Sequence, residues 1–313
     1  VSIWKGLENR LRRVGRAILQ SEGHLDAIKH AGGRSSERLE IVAAKLGGIE
    51  THLAFLAALE ARRELVKIMA DPRFDDPLRL ERCGFGIHSQ YDEDGIIAEI
   101  FRRIGATSRT FVEFGAGIGT ENCTGFLLVQ GWRGLWIEGR EDFPFFANHT
   151  WGPEIKRGQL VIRNEFVTVD TIDATIGGAG FSGEIDFLAV DLDGNDYHIL
   201  ERISVVAPRV ICAEYNGLFP PHVAWAMPRD DGFMWEGIDY RTGASLKALE
   251  LLLSDRGYAL VGCSVAGVNA FFVRKDLTQG KFAEPFTAEN HYNPWRFFYA
   301  GSASKSTWRG WRT

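Results

Sequence analysis

Residues 113–122 read EFGAGIGTEN and grow out of an apolar run, TFVEF at 110–114. An apolar run, then Gly115, Gly117 and Gly119 at alternate positions, then a helix-favouring stretch, predicts a strand that turns through glycines into a helix. In an open α/β sheet such a turn aims backbone N–H groups into the crevice at the carboxyl ends of the strands. Glycine is needed there because any Cβ would block close approach of a ligand to the main chain. The dinucleotide fingerprint GxGxxG/A fails, since the sixth position counted from Gly115 is Thr120. A second acid, Glu138, closes the next apolar run, GLWIE at 134–138. Lying about 20 residues beyond the loop, it is placed to accept hydrogen bonds from a ribose diol.

Working outward, short apolar runs alternate with helical stretches. Strands are expected at 110–114, 134–138, 159–163, 185–191, 209–214, 258–263 and 268–274, and helices at 92–104, 121–130, 170–176, 195–203 and 244–256. That alternation predicts a doubly wound, mostly parallel sheet. The last pair of strands, turning around Ala266-Gly267, reads as an antiparallel hairpin. Residues 284–313, rich in Trp, Phe, Tyr and Arg, show no regular pattern. Asp71-Pro72 and Asp76-Pro77 mark a linker, so three regions are expected: 1–70, 71–280 and 281–313.

The net charge of -5 hides an asymmetry. Residues 1–70 carry 12 basic and 8 acidic side chains, residues 71–280 carry 19 and 31, and residues 281–313 carry 5 and 2. An acidic middle region repels phosphate backbones, which argues against nucleic acid as its substrate. No apolar run approaches the roughly 20 residues that span a bilayer. The Arg-rich opening has no signal-peptide layout, and Cys83, Cys123, Cys212 and Cys263 form neither CxxC nor a metal spacing. A reducing, cytoplasmic setting is the expectation.

Within residues 2–70 one heptad register runs from Trp4 through Leu11, Leu25, Leu39, Leu46 and Leu53 to Leu56, broken at Ser21, Gly32 and Ser35. Leu at a with Ile or Val at d predicts a coiled-coil or bundle element that makes the protein a homo-oligomer. Gly32-Gly33 followed by Ser35-Ser36-Glu37 also reads as a helix stop and a new N-cap, so a helical hairpin stays open as the alternative.

Glu113 before the loop would repel a pyrophosphate, whereas it suits the cationic, amino-bearing S-adenosylmethionine (SAM). Several stretches in order, HSQYDEDGII at 88–97, FVEFGAGIGTENCT at 111–124, GWRGLWIEG at 131–139, IDFLAVDLDGNDY at 185–197 and AEYN at 213–216, resemble FkbM-type class I SAM-dependent methyltransferases. GASLKALELLL at 243–253 and GVNAFFVR at 267–274 fit the same pattern. The resemblance covers roughly residues 86–275 and implies a Rossmann-like seven-stranded class I methyltransferase sheet. It also implies O-methylation, often of sugar or natural-product hydroxyls. On it, Glu113, Gly115 and Gly117 would line the methionine part of SAM, Glu138 its ribose, and Glu165, Phe166 and Val167 the adenine rim, with Ala116, Asn122, Gly139 and Asp191 also among the cofactor-binding residues. Ser89 and Gln90 would close over the cofactor.

Methyl transfer to a hydroxyl needs in-line approach of the acceptor oxygen and removal of one proton. Asp191 and Glu214 end two neighbouring strands at the crevice, which makes Asp191 the first candidate base and Glu214 the second. Asp191, Asp193 and Glu214 are also hard oxygen ligands of the kind that hold Mg²⁺. Asp196 reads as a helix cap and His198 as a packing residue, while His222 in the loop 220–222 is a third candidate to meet an acceptor. Trp225, Phe233, Trp235 and Tyr240 crowd the insert 217–243, where rings suit either stacking on a sugar face or packing of a lid. A SAM-dependent O-methyltransferase for a sugar, glycan or small hydroxylated acceptor is the leading expectation. The alternatives are a non-catalytic scaffold subunit of a glycan-assembly complex, and a dehydrogenase, which Thr120 and Glu113 disfavour.

Overall fold

The apolar runs between residues 110 and 214 form five parallel strands: β1 (Thr110–Phe114), β2 (Arg133–Glu138), β3 (Leu160–Asn164), β4 (Gly183–Val190) and β5 (Val206–Glu214). β6 (Tyr258–Cys263) and β7 (Asn269–Arg274) form the antiparallel hairpin, with β7 inserted beside β5. The order β3-β2-β1-β4-β5-β7-β6 is that of the Rossmann-like seven-stranded sheet. The computed structural model describes residues 36–192, 194–234 and 240–296.

Both faces of the sheet are covered, which is why β4 reads as an almost unbroken apolar run. Leu135, Leu188, Ile211 and Phe272 pack on one side with Ile172, Ile199 and Leu249. Trp136, Phe187, Val210 and Phe271 pack on the other with Ile96, Ile100, Leu127 and Phe143. These contacts come from helices α2 (Glu93–Ile104), α3 (Gly125–Val129), α4 (Phe143–Lys156), α5 (Ile172–Gly178), α6 (Asp196–Arg202) and α7 (Leu246–Asp255). Helix α4 has no counterpart in the expected elements. Pro144 sits in its first turn, where the missing N–H costs nothing, and Pro153 lies inside the helix just after a kink at Trp151.

The amino end of the sheet is locked by Asp186 and Arg209, both buried. Arg209 donates to Asp186 at 2.7 Å, and Asp186 also accepts from the backbone of Thr107 (3.0 Å) and Arg109 (2.6 Å). Burial alone would raise the Asp186 carboxyl, but these donors hold it below the usual carboxylate range. The opposite, carboxyl edge is left for function.

The chain divides into residues 1–60 and a compact body that starts at Ala61, ten residues earlier than the linker suggests. Helix α1 (Ser36–Met69) contributes its last turns to that body, where Ala61, Leu65 and Met69 are buried with Phe74, Tyr91, Val265 and Val268. In the first unit the described part is helical, and Ile49, Phe55, Leu56 and Leu59 are exposed along it. Residues 1–35, on which the choice between coiled coil and hairpin turns, lie outside the described residues. The tail is more ordered than its composition suggests. A short helix, Ala288–His291 (α8), and the buried Phe282, His291 and Asn293 belong to the body, while 297–313 lie outside the described residues. None of the four cysteines is disulfide-bonded. Among the described residues no helix is long and apolar enough to cross a membrane.

Candidate active site

A cavity of about 1130 Å³ opens at the carboxyl ends of β1, β2, β4 and β5, at the point where the strand order reverses. Its floor is the glycine loop. Gly115, Gly117 and Gly119 all take positive φ (71°, 57° and 76°), the left-handed region that disfavours a side chain. Two of them have different reasons. A Cβ on Gly115 would lie 1.7 Å from the carbonyl oxygen of Asp191, so the β1 and β4 ends touch there. A Cβ on Gly117 would meet nothing within 4 Å, and Gly117 is part of the cavity lining.

Glu138 holds the loop in place. Its carboxylate accepts from Gly117 N at 2.8 Å and from Arg140 N at 2.9 Å, and it stands in the cavity wall. Beside it Phe166 is 60% exposed and packs over Gly139, where a Cβ would lie 3.1 Å from its ring. Glu165 and Val167 complete this rim. Glycine backbone open to solvent, a strand-end carboxylate and an exposed ring form a cradle of the kind that could hold an adenosyl group.

Glu113 lies elsewhere. It is buried and absent from the described lining, its carboxylate accepting from Asn122 Nδ2 (3.0 Å), Cys123 N (2.7 Å) and the hydroxyl of Thr124. Asn122 is thereby turned inward as well, and Thr124 in turn accepts from Trp136 Nε1 at 2.7 Å. The acid expected at the methionine end of a ligand instead ties the loop to the start of α3. Burial pushes the Glu113 carboxyl up to about 7, the three donors notwithstanding. A raised acid is neutral in the fold while already ionised in the unfolded chain, so its contribution to stability is complete below about 4.5 and is lost as pH rises through about 7. Glu113→Gln should remove that slope. Compared by urea denaturation at pH 5.5 and 8, the stability difference should move by about 2 kcal/mol toward the variant. A difference that stays constant with pH would refute it.

The segment 88–94 also works internally. Asp94 accepts from the backbone N–H of Ile87 (2.6 Å), His88 (2.7 Å) and Ser89 (3.1 Å), while Glu93 accepts from Asn269 (2.9 Å) and Asp92 from Val265 N (3.0 Å). Ser89 is fully buried and bonds back to Asp94 N, so it does not close over the cavity. Gln90 and Tyr91 do line it. Tyr91 was absent from the expected residues, and only its place next to Gln90 hinted at it. Its own burial, with Glu93, Glu214, Asp191 and Glu121 around it, holds its hydroxyl above the usual tyrosine range, so it keeps its proton.

Asp191 and Glu214 both line the cavity. The last pair between β4 and β5 is Val190 with Ala213, so these carboxylates are the next residues on adjacent parallel strands. Asp196, expected as the cap, is instead the first residue of α6, with Asn195 at the N-cap position; its carboxylate accepts from Leu192 N (2.8 Å) and Gly194 N (3.1 Å) and so ties down the turn before the helix. His198 bonds to Met227 O at 2.9 Å, in line with a packing role. His222 is exposed and is not part of the described lining. Among the described residues no three His, Cys, Asp or Glu side chains are grouped to hold a metal, and Asp193, a member of the expected Mg²⁺ set, lies outside them. In the insert, Phe233 and Tyr240 reach the cavity, Trp225 stacks on Phe219 with centroids 4.8 Å apart, and Trp235 lies outside the described residues. The remaining wall comes from Met234, Thr242 and, unexpectedly, Trp295.

No protein-family model matches the chain, and no curated protein sequence matches it. Among solved structures it is similar to the N-terminal domain of EvdMO1 in the presence of S-adenosylhomocysteine (SAH) and D-fucose, with 18% identity over 67% of this chain and 94% of that one and a TM-score of 0.39. It is similar to an O-methyltransferase from Bacillus cereus in complex with SAH, at 16% identity over 68% and 89% with a TM-score of 0.39. A SAM-dependent methyltransferase from Clostridium acetobutylicum gives 10% identity over 67% and 98% with a TM-score of 0.36. The fold rests on this chain's own sheet order, and the chemistry of the cavity on its own residues.

Proposed function

We propose that the protein is a SAM-dependent O-methyltransferase acting on a sugar or another small hydroxylated acceptor. The observation that carries this reading is the cradle. Gly117 presents an open face to the cavity, and its N–H is held by the same Glu138 carboxylate that would receive a ribose. What SAM supplies when bound is an electrophilic methyl group on a sulfonium. The chain's part is to hold it against the glycine loop, exclude water, and take a proton from the acceptor hydroxyl at Asp191 or Glu214.

Isothermal titration with SAM, SAH and NAD tests the reading. Both adenosyl compounds are expected to bind and NAD is not. Glu138→Ala should weaken SAH about 10- to 100-fold, as expected for losing hydrogen bonds to a charged group. A wild-type protein that binds neither adenosyl compound sinks the proposal. We also assign the exposed row Ile49, Leu56 and Leu59 on α1, together with the heptads before it, to homo-oligomerisation; removal of residues 1–60 should lower the mass in light scattering.

A further inference from the structure

The mouth of the cavity is built from chain that returns from far along the sequence. Residues 292–296 lie across the ends of β5 and β7. Tyr215 Oη donates to Asn293 O (2.6 Å), Tyr292 Oη to Gly217 O (2.7 Å), Trp295 N to Gly217 O (3.1 Å) and Arg296 N to Ala266 O (2.8 Å). Arg73 adds bonds to Asn293 Oδ1 (2.6 Å) and Tyr292 O (3.2 Å). The crossing is tight enough to require glycine on both sides. A Cβ on Gly217 would sit 2.8 Å from Trp295 N, and one on Gly267 would sit 2.2 Å from Pro294 O.

This strap delivers Trp295, half-buried, into the cavity wall with Glu214 and Asn216. There it meets Tyr240 at 77°, ring centroids 5.4 Å apart, so the two rings form a corner. Asn216 Nδ2 pins the Tyr240 side by donating to Tyr240 O (2.6 Å) and Thr242 O (3.1 Å). The cavity is also one-sided in charge. Its described lining carries Glu121, Glu138, Glu165, Asp191, Asp196 and Glu214, and its one basic residue, Arg140, is engaged by Asp142 at 2.9 and 3.0 Å. Low-dielectric walls of one sign focus that potential on whatever enters.

We infer that the corner is the acceptor subsite, with Trp295 as its stacking platform, and that it takes uncharged or amino-bearing rings while turning away phosphorylated and carboxylated ones. The inference rests on the methyltransferase reading and adds to it the wall that selects the acceptor. An aromatic corner covers the apolar face of a saturated ring, and the adjoining carboxamide and carboxylates meet its hydroxyl or ammonium groups.

The test is transfer of label from methyl-labelled SAM to a panel of methyl glycosides, amino sugars, sugar 6-phosphates and uronic acids. Label is expected in the neutral and amino members, and at least tenfold less in the anionic ones. Trp295→Phe and Trp295→Leu are both apolar and smaller than Trp, and only Phe keeps a ring, so the pair separates stacking from packing. Acceptor KM should stay within threefold for Phe and rise at least tenfold for Leu, with the Kd for SAH unchanged within twofold in both. Preference for phosphates or uronates overturns the charge rule, and equal KM values for Phe and Leu overturn the platform. Label entering no member while SAH binds overturns the acceptor assignment and leaves the adenosyl reading standing; loss of SAH binding by the wild type would instead sink that reading.

Discussion

Gly115→Ala is expected to destabilise the protein by about 3 kcal/mol or more and to abolish SAH binding, whereas Gly117→Ala is expected to cost only about 1–2 kcal/mol of backbone strain and to lose the ligand. The two glycines stand two residues apart in one loop, both at positive φ. That conformation costs an alanine about 1–2 kcal/mol at either site. What separates them is the neighbour. At Gly115 the new methyl would fall 1.7 Å from the Asp191 carbonyl oxygen, a backbone atom at the end of β4 that no rotamer can move. Relief requires the β1 and β4 ends to part, and the crevice between them is the floor of the cavity. At Gly117 the methyl enters open space, in the volume assigned to the adenosyl ligand. Urea denaturation with parallel SAH titration reads both effects. Gly117→Ala binding SAH with wild-type affinity would remove the glycine loop from the ligand site.

The same contrast shows what can be read from residues alone. β1 and β6 appear in the sequence at their observed bounds, because a sheet covered on both faces needs apolar runs whose ends are marked by turn residues. Glu138 was legible for a related reason: a strand-end acid beyond a glycine loop has few places to go. Glu113 was not, since its position in β1 gives no sign that Asn122, Cys123 and Thr124 fold back to surround its carboxylate. Helix α4 was hidden by Pro144 and Pro153, each tolerated for a local reason that composition does not reveal. Trp295 was the hardest to foresee. It reaches the cavity through a crossing at Gly217, 78 residues away, and lies beyond the stretch that resembles a known family. Long-range placement of this kind leaves no periodic trace.

Asp191→Asn and Glu214→Gln should both bind SAH within a few-fold of the wild type, and the variant that removes the base should transfer methyl groups about 10²–10⁴-fold more slowly. Both carboxylates sit one residue past the last pair of β4 and β5, so they flank the same opening of the sheet. They differ in how firmly they are held. The backbone of Asp191 packs against Gly115, and a base held at the glycine loop would keep its distance to the reacting methyl whatever acceptor enters. Glu214 lines the cavity with Asn216 and Trp295, the wall proposed for the acceptor, and its loss should therefore appear mainly as a higher acceptor KM. The discriminating measurement is the split between kcat and KM for the two variants. A fall in kcat for Glu214→Gln with none for Asp191→Asn would exchange their roles, and unchanged transfer in both would place the proton acceptor outside this pair.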